Sequence, residues 1–328
     1  MEQKAVKLPR ELDERITAVK QIIEEQIKVS DPQLQTALRV MASNGGKFLR
    51  PLLFFICAQI GGTPRKQEMQ LRKIAASLEI LHMATLVHDD IIDDSPLRRG
   101  AISIQSRFGK DVAVYAGDLL FTIFFDLTLD EMADTPYLKI NATALKEILN
   151  GELGQMYARY DAKQPLQTYL DNASKKTAWL FKLACMEGAY FGGANEQEVA
   201  QAAEIGKLIG LSFQMLDDVL DYSLENKDAN KPVLEDLATG VYSLPLLLAL
   251  KNEQTGQLEE ILAKRQALTP KDFQEITRLV IENDGVKEAR KLAKDYSQQA
   301  LDQISMLPIG KAKKQLDYLT RKLLQRTI

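Results

Sequence analysis

Apolar residues recur at three- and four-residue spacing along most of the chain, which is the period of amphipathic α-helices. There is no sustained period-two alternation and no Asn-Gly signal between apolar strands. The pattern therefore predicts an all-α protein with about a dozen helices and short connections, as in a large bundle. The periodicity is strongest over residues 12–29, 71–92, 144–160, 199–222 and 286–304.

Prolines divide the periodic segments. Thr63, Thr135 and Thr269 each precede a proline, which predicts an N-cap followed by proline in the first helical turn. Asp31-Pro32 predicts a similar helix start. A polar stretch over 223–236 has no helical period and predicts a long loop, and loops of that length are often functional. No change of composition divides the chain, so we expect one domain over residues 1–328.

Composition and charge narrow the class of protein. Of the 328 residues, 45% are hydrophobic and 27% are charged, as in globular proteins. The net charge of -3 argues against a general nucleic-acid-binding surface. The longest apolar runs, 51–58 and 244–250, are shorter than the ~20 residues of a membrane span. Together with an N-terminus that lacks an apolar signal segment, this predicts a cytoplasmic protein without a transmembrane segment.

The cysteine content bears on redox state and zinc. Cys57 and Cys185 both lie in apolar surroundings, which favours two buried free thiols over a disulfide. Two cysteines and two histidines occur in no spacing that would suit zinc ligands. The sequence therefore excludes a structural zinc site.

The first acidic cluster follows a long apolar segment and has the form Asp-Asp-x-x-Asp. Asp89 and Asp93 are one helical turn apart, so their like charges share a face and repel. Acidic residues at a helix C-terminus also oppose the helix dipole. A solvated helix end is the alternative, but these two effects favour a bound cation.

A second cluster repeats the arrangement after another apolar helix, with Asp217, Asp218 and Asp221 in the same spacing. Carboxylate oxygens suit hard cations, and Mg²⁺ prefers a few carboxylates completed by phosphates and water. The repetition predicts that both clusters face one cavity and hold Mg²⁺ on a diphosphate.

Basic groups accompany the acidic clusters. Each alone could be a solvated surface charge, and two of the arginines could simply pair with Asp93 and Asp94. As a set they suit a substrate with several negative charges, because Arg binds phosphates bidentately and Lys acts as a point charge. The groups are Lys47 with Arg50, Arg98 with Arg99, and Lys176 with Thr177, while His82 lies two turns before Asp89 on the same face.

From about residue 45 to 245 the order and spacing of these motifs resemble the trans-isoprenyl diphosphate synthases of the polyprenyl synthetase family. The resemblance implies the isoprenoid synthase fold, a large antiparallel helical bundle around a central active-site cavity. It also implies a homodimer, with no nucleic-acid partner and with transient membrane contact during product release. The residues that carry it are 45–51, His82, 89–93, Arg98-Arg99-Gly100, Gly117-Asp118, Lys176-Thr177 and 214–221.

The resemblance implies a long-chain all-trans polyprenyl diphosphate synthase. Such an enzyme condenses isopentenyl diphosphate head to tail onto an allylic diphosphate such as farnesyl diphosphate. Three Mg²⁺ per site, replaceable by Mn²⁺, would bind to Asp89, Asp93 and Asp217, with Asp90, Asp218 and Asp221 completing the catalytic set. The allylic substrate would contact Arg98, Lys176, Thr177, Gln214 and Lys231, and isopentenyl diphosphate would contact Lys47, Arg50, His82 and Arg99.

Four positions bear on product length and partners. Ala84 and Thr85 are small where a bulky aromatic ends elongation in relatives, which predicts a product of six or more isoprene units. Alternatively, Ala84 simply packs against a neighbouring helix. Phe48 and Val241 stand where the family usually has basic residues. The missing lysine at Val241 leaves weaker activity alone or a partner-dependent catalytic subunit as an alternative. A short-chain farnesyl or geranylgeranyl synthase is a separate alternative. A terpene cyclase is disfavoured because it binds no second diphosphate.

Overall fold

The computed structural model describes residues 9–43, 46–98, 100–222 and 234–324, and these residues are predominantly helical. The all-α prediction is confirmed, with more helices than the predicted dozen because several segments are interrupted. The helices are α1 Arg10–Gln26, α2 Pro32–Ser43, α3 Leu49–Cys57, α4 Glu68–Ile92, α5 Ile104–Phe108, α6 Lys110–Met132, α7 Tyr137–Tyr157, α8 Leu166–Ala173, α9 Trp179–Phe191, α10 Glu196–Asp221, α11 Glu235–Ala238, α12 Leu244–Asn252, α13 Gln257–Leu262, α14 Pro270–Glu282, α15 Gly285–Ser305 and α16 Lys311–Leu324.

The five most periodic segments coincide with α1, α4, α7, α10 and α15. The helix start at Thr269 is confirmed, because its side chain accepts a hydrogen bond from the Asp272 N–H in a capping box. Asp31 likewise caps α2 by accepting from the Gln33 N–H at 2.8 Å. The start predicted at Thr63 is wrong, since α4 begins only at Glu68.

Three short elements were not predicted. Leu97–Arg98 pairs antiparallel with Ala101–Ile102, and Gly100 adopts a φ of 78° in the turn between them. Two-residue strands are too short to produce a period-two signal. Ser174–Ala178 forms a π-helical turn between α8 and α9, and Arg265–Ala267 forms a 3-10 turn.

The chain divides into two compact units. Unit 1 comprises Met1–Ala142 and Ala184–Ala200, and unit 2 comprises Thr143–Leu183 and Gln201–Ile328. The division crosses α7, α9 and α10, so each of these helices contributes to both units. One domain over 1–328 remains a prediction.

Unit 1 is built on close helix contacts. A Cβ on Gly188 of α9 would lie 2.2 Å from the Phe54 carbonyl oxygen in α3, and one on Gly192, just after α9, would lie 2.2 Å from the Ala58 carbonyl oxygen, just after α3. These glycines therefore allow the two segments to touch through their backbones. Cys57 and Cys185 are both buried free cysteines, as the sequence predicts.

In unit 2, α10 and α15 pack through small polar side chains. Ser212 donates to the Ala293 carbonyl at 3.0 Å and shares a 2.5 Å hydrogen bond with Ser297. A Cβ on Gly210 would lie 2.6 Å from the Ala178 Cα, so α10 also packs tightly against the end of the π-helical turn. These contacts fix the helix that carries the second acidic cluster.

Helix α6 combines an apolar composition with considerable length. Among the described helices it is the one long and apolar enough, by length and composition, to cross a membrane, and 44% of its most apolar window is buried. The sequence signal was missed because Asp111, Asp118 and Asp126 interrupt the apolar residues. Absence of a transmembrane segment stays a prediction.

Candidate active site

The first acidic cluster lies at the C-terminal end of α4. Asp93 is the C-cap residue, and its N–H donates to the Asp89 carbonyl at 2.9 Å. His82, Thr85, Asp89 and Asp93 are all partly exposed and, at 100° per residue, lie on one stripe of the helix. Thr85 therefore shares the face of the candidate metal ligands. Ala84 is fully buried and lies on another face.

Asp90, the second aspartate of the cluster, points away from that stripe and is 2% exposed. Its Oδ1 accepts a 2.7 Å hydrogen bond from Arg98 Nε and a second from Nη2. Burial raises the pKa of Asp90 even though the guanidinium opposes this. Burial alone would lower the pKa of Arg98, but the bond to Asp90 outweighs it and raises that pKa.

The sequence suggested that Arg98 could pair with Asp93 or Asp94, but in the structure it pairs with Asp90. Lys110 pairs with Asp94 at 2.9 Å instead. Arg99 lies outside the described residues. In unit 1, Asp90 and Arg98 also line a cavity of about 180 Å³ together with Arg107 and four residues of α2, which are Thr36, Ala37, Val40 and Met41.

His88 explains why Gly117-Asp118 belongs to the motif set. The imidazole Nδ1 lies 3.1 Å from the Ala84 carbonyl, and the ring stacks on Phe121 at 5.4 Å. Its Nε2 lies 3.3 Å from Asp118 Oδ1. A Cβ on Gly117 would be 2.4 Å from the ring, so only glycine leaves room for this packing.

The candidate isopentenyl-binding group precedes and begins α3. Lys47 is exposed, and Arg50 is partly buried in the first turn. Phe48 between them is buried with a φ of 46°, in the left-handed region. The ammonium of Lys20 lies 4.8 Å from the centroid of its ring. The position that is usually basic in the family therefore packs into the core of unit 1.

The second acidic cluster ends α10, and its middle residue is again internal. Asp218 is 3% exposed and accepts hydrogen bonds from Tyr169 Oη at 2.8 Å, Gln214 Nε2 at 2.8 Å and the Leu244 N–H at 3.0 Å. Burial raises the pKa of Asp218 despite these donors. Asp217 is exposed.

Asp221 carries the strongest electrostatic signal for a cation. Burial, followed by the charges of Asp236, Asp218 and Asp217, raises its pKa to about 8. Carboxylates crowded in this way are stabilised by a divalent cation, and an all-oxygen donor set suits a hard one. Across the described residues, no group of three or more His, Cys, Asp or Glu side chains is positioned to hold a metal. The oxygen donors of the acidic clusters fit Mg²⁺, which takes a few carboxylates and completes its ligands with substrate phosphates.

Lys176 and Thr177 lie in the π-helical turn. The Lys176 ammonium is 2.8 Å from Glu152 Oε2 and donates to Gln155 Oε1 at 2.9 Å. Thr177 Oγ1 donates to Gln214 Oε1 at 2.6 Å. Single π-turns inside helices occur frequently at functional sites. This turn presents both side chains to neighbours in α7 and α10.

Two glycines of α7 make room for the π-helical turn and for the end of α8 that precedes it. A Cβ on Gly151 would lie 2.6 Å from the Lys176 backbone nitrogen, and one on Gly154 would lie 2.4 Å from Asn172 Oδ1. Glu152 and Gln155 follow these glycines directly and were not predicted as site residues. The Gly-x-x-Gly spacing within a helix is the sequence signal that could have identified them.

Unit 2 brings several predicted residues together. Lys176, Thr177, Gln214, Asp218 and Val241 line one cavity of about 30 Å³. Tyr169, which sequence reasoning missed, also lines it and lies on the wall formed by α8. Lys231 lies outside the described residues.

Comparisons with known proteins identify the family and the fold. The family model for polyprenyl synthetase matches residues 31–280. Component 2 of the heptaprenyl diphosphate synthase of Bacillus subtilis is 30% identical over 93% of this chain and 86% of its own length. A geranylgeranyl pyrophosphate synthase structure from Lactobacillus brevis has a TM-score of 0.92 and 40% identity, covering 97% of this chain and 98% of its own.

A third comparison concerns ligands. A polyprenyl synthase from Caulobacter crescentus, solved with calcium and isoprenyl diphosphate, has a TM-score of 0.88 and 30% identity, covering 97% of both chains. These likenesses define the class as an all-α enzyme of the isoprenoid synthase fold. The chain belongs to the polyprenyl synthetase family and is a prenyltransferase.

Proposed function

We propose that the chain is a Mg²⁺-dependent, long-chain all-trans polyprenyl diphosphate synthase. It would join isopentenyl diphosphate head to tail to an allylic diphosphate such as farnesyl diphosphate. The observation that carries the proposal is the cavity of unit 2, where Lys176, Thr177 and Gln214 adjoin the second acidic cluster. An ammonium, a hydroxyl and an amide, which can bind or position a phosphate, thus lie beside carboxylates that favour a bound cation.

The residues suggest a division of work. Asp89, Asp93 and Asp217 would hold the metal, which when bound offsets the negative charge that develops on the leaving diphosphate. In unit 2 the Lys176 ammonium, already oriented by Glu152 and Gln155, would add a fixed positive charge. Lys47, Arg50 and His82 would hold isopentenyl diphosphate close to the allylic carbon. The allylic C–O bond would break to release diphosphate, the double bond of isopentenyl diphosphate would attack the resulting carbocation, and the departed diphosphate would take the proton that is then lost.

Product length is the finer part of the proposal. Thr85 shares the face of Asp89, stands one turn before it and is small. The relatives are named for products of different lengths, heptaprenyl for the Bacillus subtilis protein and geranylgeranyl for the Lactobacillus brevis protein. A long product is favoured by the small side chain, with a short-chain synthase as the alternative.

Assembly with a second chain is also part of the proposal. Tyr115, Phe125 and Leu129 of α6 are exposed, with Tyr115 at 76% and Leu129 at 50%. They recur at helical spacing and form an apolar stripe, and exposed apolar patches commonly mark protein interfaces. A homodimer would cover this stripe.

A cytoplasmic location is supported by the two free cysteines.

A partner-dependent catalytic subunit is the second candidate, and Val241 favours it. This residue lines the cavity with Lys176 and Gln214, where the family usually provides a lysine. The Bacillus subtilis relative is itself named component 2. The chain would then need a second protein for full activity.

Assay of the purified chain alone separates the candidates. We expect labelled isopentenyl diphosphate to be incorporated, with farnesyl diphosphate as primer and Mg²⁺ present, into products that chromatography resolves by length. Products of six or more isoprene units support the proposal, whereas three or four units support a short-chain synthase. Product that forms only after a partner subunit is added supports the second candidate, and no product under either condition contradicts the prenyltransferase proposal for this site.

A further inference from the structure

The second aspartate of each Asp-Asp-x-x-Asp motif differs from its neighbours in the same way. Asp90 is 2% exposed and Asp218 is 3% exposed, while the flanking Asp89 and Asp217 reach the surface. Successive helical residues point about 100° apart, so the second position necessarily leaves the face of the first and last. In both motifs this position is occupied by an internal hydrogen-bond acceptor.

At Asp90 the donor is Arg98, which the family resemblance implies as a contact of the allylic substrate in the proposed reaction. Arg98 directs Nε, at 2.7 Å, and Nη2 to the same Asp90 oxygen. The Arg98 side chain remains 31% exposed. The inner edge of the guanidinium is thus fixed by Asp90, and the rest of this planar group can meet a phosphate. A planar, bidentate donor gains most when its orientation is set in advance.

The second motif repeats this relationship with different chemistry. Asp218 accepts from Gln214 Nε2, and the amide oxygen of Gln214 accepts from Thr177 Oγ1 at 2.6 Å. The carboxylate therefore fixes which end of the Gln214 amide faces Thr177. Two aspartates at the same motif position, on different helices, each orient a candidate substrate contact.

We propose that Asp90 is a positioning residue that acts through Arg98 on the allylic diphosphate, and that it is not a metal ligand. The inference rests on the proposed function, since it takes Arg98 as a substrate contact. Asp218 would act in the same manner on Gln214 and Thr177. The carboxylates of the motif thus serve two tasks, metal binding by its outer residues and orientation of a neighbouring donor by its middle one.

The test replaces carboxylates by amides and separates metal from substrate. Asp90→Asn should raise the KM of farnesyl diphosphate by ~10- to 100-fold, the range for one charge-assisted hydrogen bond. The KM of isopentenyl diphosphate and the Mg²⁺ concentration at half-maximal rate should stay near wild type. Asp89→Asn should instead shift the Mg²⁺ dependence. A Mg²⁺ shift in Asp90→Asn as large as that in Asp89→Asn would overturn the proposal.

A double-mutant cycle tests whether Asp90 acts through Arg98. In an Arg98→Gln background, Asp90→Asn should have no further effect on the KM of farnesyl diphosphate, because the positioned group is already gone. Undiminished, additive losses would contradict the mechanism. Asp94→Asn is the matched control, since Asp94 is 74% exposed and its φ of 51° suits asparagine.

Two further measurements keep the test decisive. Calorimetric binding of inorganic pyrophosphate with Mg²⁺ should weaken in Asp90→Asn, which provides a readout independent of turnover. If Asp90→Asn does not fold, Arg98→Lys keeps the charge but loses the planar donor edge, and it should show the same selective rise in the KM of farnesyl diphosphate. A wild-type KM in Arg98→Lys would overturn the proposal. Absence of turnover in the wild-type chain would instead count against the proposed function.

Discussion

Glu187 offers a sharp test of the electrostatics of unit 1. It is fully buried on α9, and its Oε1 accepts a 2.6 Å hydrogen bond from Asn141 Nδ2. Its other oxygen has no hydrogen-bond partner among the described residues. Burial, only partly opposed by the bond from Asn141, raises the pKa of Glu187 from 4.5 to about 8. The carboxyl is therefore neutral in the folded protein at pH 7.

The sign of the pH effect follows from proton binding. Between pH 4.5 and about 8 the unfolded chain loses the proton of Glu187 while the folded chain keeps it. The contribution of this group to the free energy of unfolding therefore falls by about 1.4 kcal/mol per pH unit over that window. The whole loss is of the order of 5 kcal/mol and is complete above about pH 8. Tyr137 nearby does not titrate in this range, because burial and then Glu187 raise its pKa further.

Glu187→Gln removes the titration and keeps the acceptor for Asn141. Urea unfolding followed by circular dichroism should show that the stability difference between wild type and Glu187→Gln changes by about 3 kcal/mol between pH 5.5 and 7.5, in favour of the variant at higher pH. Circular dichroism is preferable because Trp179, the single tryptophan, lies in unit 2. Exposed Glu25→Gln is the control and should show no such change. A pH-independent difference for Glu187→Gln would refute the neutral carboxyl.

Three further predictions concern the site. Val241→Lys should increase the activity of the chain assayed alone, by adding a cation to the cavity of unit 2. An unchanged or lower kcat/KM would reject the hypothesis that the missing lysine limits activity. Thr85→Phe should shorten the product to three or four isoprene units, since its ring stands ~6 Å along the helix from Asp89, and unchanged product length in a folded variant would exclude this face from the elongation path. Gly151→Ala should lower the free energy of unfolding by ~1–3 kcal/mol and raise the KM of farnesyl diphosphate, because the new Cβ would lie 2.6 Å from the π-helical turn. Gly62→Ala is the control, since a Cβ there would have nothing within 4 Å.

The helices could be predicted because their apolar period survives in the sequence, and capping chemistry located starts such as that of α14. The start predicted at Thr63 failed for a tertiary reason. Past that residue the Arg65 N–H donates to the Phe191 carbonyl at 2.8 Å, and a Cβ on Gly61 would clash with Ala194, so the segment packs on α9 in an irregular conformation. Local propensity cannot report such a contact.

The site residues likewise fall into those that local helix geometry predicts and those that depend on tertiary contacts. Like charges one turn apart identified Asp89 and Asp93 from sequence, because that argument needs only helix geometry. The burial of Asp90 could not be foreseen, since its partner Arg98 arrives through a hairpin of two-residue strands. The ion pair of Lys176 with Glu152 likewise depends on a π-helical turn, and the sequence indicates that turn only indirectly, through the Gly-x-x-Gly spacing of α7.

The measurement that tests the central claim most directly is the Mg²⁺ dependence of prenyl transfer in wild type, Asp89→Asn and Asp217→Asn. We expect no incorporation of isopentenyl diphosphate in the presence of EDTA, and restoration on addition of Mg²⁺. Both variants should lose at least ~100-fold in rate and need more Mg²⁺, while keeping the wild-type circular dichroism spectrum; ~100-fold corresponds to about 2.7 kcal/mol of lost transition-state stabilisation. Turnover that survives EDTA, or variants that match wild type at every Mg²⁺ concentration, would contradict the account.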